Sequence, residues 1–148
     1  MNRRIAGFKN RITSSIAGLL LGLPMNAAKA DVVAVVSPKS TLTTLSKSQL
    51  ADIFFGMTHQ FPDGTPAVPI DQEEGSPARA EFYAVFTGQS PAQMKAHWST
   101  VVFTGRGKPP RTASGSTEVK KAIAANPCSI SYIDRSAVDS TVKVLLQP

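Results

Sequence analysis

Leu45-Ser46-Lys47-Ser48-Gln49-Leu50-Ala51-Asp52-Ile53-Phe54-Phe55-Gly56 is a helix written with both of its ends. Ser46 followed three residues later by Gln49 has the spacing of a capping box, in which each side chain satisfies the other residue's backbone N–H. Leu50, Ile53 and Phe54 recur at helical intervals and give one apolar face, and Gly56 suits the turn that ends it. Upstream, Val32 to Val36 is an unbroken apolar run with one alanine, the pattern of a strand buried on both faces, stopped by Pro38. Downstream, Pro62-Asp63-Gly64 marks a turn and Ala67 to Ile70 a short strand, whose Pro69 requires an edge position.

The same grammar continues along the chain. Ser76-Pro77 places a capping oxygen before a proline at the first helical position, with Phe82, Val85 and Phe86 on one face and Gly88 at the end. Ser90-Pro91-Ala92-Gln93 is a second capping box, and Met94, Trp98, Val101 and Val102 form the apolar stripe of a third helix, with Trp98 in the core. Residues 105–115 read as a loop rich in glycine and proline, carrying Arg106, Lys108 and Arg111. Thr117 to Ala125 is the fourth helix, stopped by Asn126-Pro127, and Ser129 to Ile133 and Thr141 to Leu146 read as strands. Strands alternating with helices at these spacings argue one α/β domain over residues 31–148, without internal repeats.

Sixteen basic against ten acidic side chains in 148 residues suggest a basic protein, but the excess is local. Arg3, Arg4, Lys9, Arg11 and Lys29 fall in an acid-free leader of thirty residues, leaving 11 basic and 10 acidic residues in the remaining 118. That balance disfavours a nucleic-acid binder. The leader has a basic start, a short apolar run from Ile16 to Met25 and small residues ending in Ala28-Lys29-Ala30, so it reads as a secretory signal cleaved after Ala30. Its apolar run is too short to span a bilayer and no second one follows, so the exported chain is expected to lack a membrane span. The single cysteine, Cys128, permits no internal disulfide.

Serine caps present free N–H groups suited to an anion, yet most only satisfy their own helix, which is the reading for Ser46 and Ser90. Ser76 differs, because Arg79 stands at the third helical position, where a cation opposes the helix dipole. Either Glu73 or Glu74 pairs with Arg79, or a bound anion does. Ser114-Gly115-Ser116 opens the fourth helix after Arg106, Lys108 and Arg111, which makes either an anion cradle or a solvated loop. His59, His97 and Cys128 do not assemble into a metal site of recognisable spacing, and no cofactor is implied.

The run from Leu45 to Gly56, followed by Val68-Pro69-Ile70-Asp71 and Glu74-Gly75-Ser76, resembles the later lobe of periplasmic phosphate-binding proteins of ABC transporters. Asn126-Pro127-Cys128-Ser129-Ile130-Ser131-Tyr132-Ile133 is similar to that family's Pro-Gly-Ala-Ile-Gly-Tyr-Val strand entry. The resemblance implies a single lobe of the type 2 periplasmic-binding fold, a short mixed sheet flanked by about four helices. It also implies an anion held against a second lobe, for which 118 residues leave no room. The family's Arg-x-x-x-Ser-Gly-Thr-Arg is matched by Gln72-Glu73-Glu74-Gly75-Ser76-Pro77-Ala78-Arg79, which keeps Ser76 and Arg79 and loses an arginine and a threonine hydroxyl.

These readings define an exported, non-enzymatic, solute-binding-like lobe. Its anion-facing candidates are Ser76 and Arg79 with Gln72 and Gly75, the turn Ser114, Gly115 and Ser116, and the basic Arg106, Lys108 and Arg111. Its expected partners are a phosphate-like oxyanion, bound weakly or with another chain, and a membrane permease or sensor. The alternative is a ligand-free periplasmic interaction module. A hydrolase would need a nucleophile with an assigned base, and none can be named.

Overall fold

A computed structural model describes residues 31–148; the leader and its cleavage position after Ala30 lie outside the described residues. Its centre is β1 (Val32–Val36), with all five residues buried. Val32, Ala34 and Val36 enter one apolar cluster, and Val33 and Val35 the other. The period of two along a strand thus supplies both faces from one run, each buried valine contributing ~1.5–3 kcal/mol relative to exposure.

Four further strands complete a mixed sheet: β2 (Val68–Gln72), β3 (Arg111–Ala113), β4 (Ser129–Asp134) and β5 (Lys143–Leu146), in the order β3-β2-β4-β1-β5. β2 runs parallel to β3 and β4, whereas β1 is antiparallel to β4 and β5. On one face lie α1 (Lys47–Phe54), α2 (Pro77–Phe82), a π-helical turn over Tyr83–Thr87, and α3 (Pro91–Phe103). α4 (Ser116–Ala125) covers the other face with Val119, Ala122 and Ile123. The fold is therefore the expected α/β lobe with a short mixed sheet and four helices.

Both capping boxes form: Ser46 with Gln49, and Ser90 with Gln93. Pro69 meets its edge requirement in an unexpected way. β2 is an interior strand, but its first half pairs only with β4, through Val68 and Pro69, and β3 joins only from Ile70 onward.

Four expectations need correction. The 105–115 loop contains β3, because Arg111 to Ala113 can pair along the free side of β2. α4 has no serine cap; Gly115 occupies the capping position without a side-chain hydrogen bond. The apolar stripe of α3 ends early, since Met94 and Trp98 are buried but Val102 is 53% and Phe103 93% exposed. The last strand starts at Lys143 rather than Thr141, whose hydroxyl and N–H bond to Asp139 in a turn.

Candidate functional site

β2 and β3 run parallel, so their chains leave the sheet at the same end, and α2 and α4 begin just beyond it. Crevices outside the carboxyl ends of parallel strands are where α/β sheets commonly place ligands. Here that end is built around Asp71, which is 3% exposed. Its carboxylate accepts from Arg79 Nε at 3.2 Å, from Tyr83 Oη at 2.8 Å, from the Gln72 N–H at 2.8 Å, and from the Tyr132 hydroxyl.

Each partner is delivered by a different element. The turn after β2, closed by Ser76 N–H to the Glu73 carbonyl, folds α2 back over the strand, and Gly75 makes it possible with φ +87°, a conformation that disfavours a side chain. Arg79 thereby comes back onto Asp71, eight residues upstream. The π-helical turn carries Tyr83 at its start, and Gly88 ends it in the left-handed region. Tyr132 comes from β4, its ring stacked on Phe82 with centroids 3.9 Å apart and planes 8° from parallel.

The electrostatics follow from burial. Desolvation works against the Arg79 charge, yet the Asp71 carboxylate outweighs it and raises the guanidinium pKa above its ordinary value. Burial pushes both tyrosine hydroxyls upward, and the negative charge of Asp71 adds to the effect. Both tyrosines stay protonated donors across the physiological range. The partner of Arg79 is Asp71, rather than Glu73 or Glu74; Glu74 instead pairs at 3.6 Å with Lys95 at the surface.

Gln72 and Ser76 are likewise engaged. Gln72 donates Nε2 to the Tyr132 carbonyl at 3.1 Å and accepts from the Ser76 hydroxyl at 2.8 Å, while Ser76 Oγ also accepts from the Arg79 N–H at 3.3 Å.

The residues singled out from the sequence fall in three places. Gln72 and Arg79 line a hollow of about 600 Å³, walled by Trp98 and Ser99 of α3 and by Thr112 of β3, with Lys95, Val102 and Phe103 also on its lining. Arg106, Lys108 and Arg111 line a second hollow. Gly75, Ser76, Ser114, Gly115 and Ser116 line neither. Asp71, Tyr83 and Tyr132, which organise the first site, were missed; an acid closing a buried strand eight residues before a misplaced cation was the available signal. Among the described residues no three potential metal ligands cluster, and no helix is long and apolar enough to cross a membrane.

No family model and no curated protein matches this chain. Solved structures do. A Clostridium perfringens protein named as a phosphate ABC transporter substrate-binding protein, solved with bound phosphate, superposes with a TM-score of 0.62 at 20% identity, covering 78% of this chain and 44% of that one. An ABC-type phosphate transport receptor from Vibrio cholerae gives 0.61 at 18% identity, covering 78% of this chain and 45% of the receptor. PstS from Borrelia burgdorferi gives 0.58 at 13% identity, covering 78% and 46% respectively. The chain spans less than half the length of these structures. The likeness is one of fold: the chain folds like one lobe of these structures.

Proposed function

We propose that this chain is an exported, solute-binding-like half-clamp that holds phosphate or a related oxyanion weakly in the hollow before Arg79, and tightly only when a second surface closes over it. Arg79 carries the reading. It lines the hollow while its Nε is taken by Asp71 and its guanidinium lies over the Tyr83 ring, 5.2 Å from the centroid; among the described residues neither Nη has a hydrogen-bond partner, which leaves a preoriented fork for an oxyanion. Thr112 and Ser99 offer hydroxyls, and Lys95 offers charge. Asp71 neutralises Arg79, and Glu74 opposes an anion at the rim. Two or three charge-assisted bonds without a second jaw suit a dissociation constant near ~1 mM, about 4 kcal/mol.

Thermal unfolding in rising phosphate against a matched chloride series tests this. A phosphate-specific rise in melting temperature at millimolar concentrations, removed by Arg79→Lys, is expected; identical phosphate and chloride curves would sink the reading. A permease or sensor in the membrane is the partner this reading implies, and export by cleavage after Ala30 is checked by the intact mass of periplasmic material, expected to begin at Asp31.

A second reading, a ligand-free interaction module, draws on Val102 and Phe103, exposed apolar side chains on the same hollow. It predicts no anion response and a partner whose binding Phe103→Ser weakens.

A further inference from the structure

Trp98 belongs to two hollows. The second, of about 490 Å³, is walled by Ile53 and Gly56 from the end of α1, Val68 and Pro69 from the half-paired start of β2, and Val101 from α3. Its remaining side is the segment from Arg106 to Arg111. The volume is that of a small-molecule site, which is typically apolar with a few placed polar groups.

Two observations set this hollow apart from an ordinary surface dent, beside Trp98, which is 8% exposed and lines both hollows. Gly56 lets the indole stand where it does: a Cβ there would lie 2.9 Å from Trp98 Cη2. The charges on the lining are all of one sign. Arg106, Lys108 and Arg111 carry no acidic partner among the described residues, and the hollow is lined by no carboxylate.

Apolar walls with a cationic rim select for a molecule having both parts. An inorganic oxyanion would leave the walls wet, and a neutral apolar molecule would leave the cations unanswered. We infer that this hollow binds an organic anion whose carboxylate or sulfonate is carried on an apolar body, the body against Trp98, Ile53 and Val68 and the head group at Arg106, Lys108 and Arg111. The site shares Trp98, Pro109 and Pro110 with the hollow before Arg79, and none of the polar or charged residues proposed to hold the oxyanion there.

Trp98 is the sole tryptophan of the chain, so its fluorescence reports occupancy directly. Octanoate, 1-octanol and inorganic phosphate are titrated separately into the full exported chain. Octanoate is expected to saturate with an affinity about tenfold or more above that of octanol, since charge-assisted contacts reward only the anion. The double variant Arg106→Ser/Arg111→Ser is expected to lower octanoate to the octanol level. Gly107→Phe sits on the loop at a position outside the left-handed region, where an added Cβ would lie 3.4 Å from Val101 Cγ1, and is expected to exclude both ligands. Circular dichroism checks that both variants fold. Equal affinities for octanoate and octanol, an unchanged preference in the double variant, or displacement of octanoate by millimolar phosphate would each overturn the inference. A phosphate response without octanoate binding removes this site alone, and octanoate binding without a phosphate response removes only the oxyanion reading.

Discussion

Arg79 on α2 and Arg111 at the start of β3 flank the same strand, yet one is buried against a carboxylate and the other stands in water. Around Arg79, the buried Asp71 carboxylate is answered by the guanidinium Nε, two phenols and a backbone amide. Around Arg111, three cations on one loop have no acidic partner among the described residues. Buried charge must be compensated from within the fold, whereas exposed charge can wait for a ligand. The first region therefore weighs more on stability than the second, and each can be perturbed with a different expected size of effect.

The largest effect is expected from Asp71→Ala. It strands the buried Arg79 charge and removes the acceptor of both tyrosine hydroxyls, and breaking a buried pair from one side costs about 3–5 kcal/mol. Urea unfolding measures it. A loss under about 1 kcal/mol would mean that the network is solvated and that the two regions do not differ in kind.

An intermediate effect lies in alkali. The pKa values of Tyr83 and Tyr132 are raised in the fold, so the native state keeps protons that an unfolded chain starts to lose near pH 10. The stabilisation is whole below about pH 10 and declines as pH rises above it. These are the only two tyrosines, so no exposed phenol obscures the signal. Tyrosinate absorbance is expected to appear in one step, together with loss of the circular dichroism of the helices. Ionisation ahead of unfolding would place the hydroxyls in contact with water.

The smallest effect is expected at the loop, where Arg106→Ser or Lys108→Ser should change stability by no more than about 0.5 kcal/mol, as for exposed side chains outside any network. Differential scanning calorimetry suffices, and a loss comparable to that of Asp71→Ala would erase the contrast.

Much of the fold was legible where a local rule acts alone. Val32 to Val36 could only be a doubly buried strand, and Ser46 with Gln49 and Ser90 with Gln93 wrote their own helix starts. Legibility failed where a distant element decides. β3 exists because β2 offers it a free side, and Val102, on the apolar stripe of α3, has nothing in the fold to bury it. At the site, Arg79 was found from its conflict with the helix dipole, but its partner was sought among the nearest acids, Glu73 and Glu74. Asp71 wins because it is already dehydrated, so pairing there gains more than at the solvated glutamates. Tyr132, 61 residues from Asp71, is brought in by strand pairing alone.

Pro69 carries a further consequence, for the behaviour of many copies together. Val68 donates its N–H to the Cys128 carbonyl, toward β4, so the alternation of a strand turns the backbone nitrogen of Pro69 to the side where β3 has not yet begun. That stretch is a place along an interior strand where a foreign strand could dock, and the donor it would need first is missing. The proline thus acts as a guard against strand exchange between molecules in a crowded compartment, keeping the half-paired start of β2 from seeding aggregates.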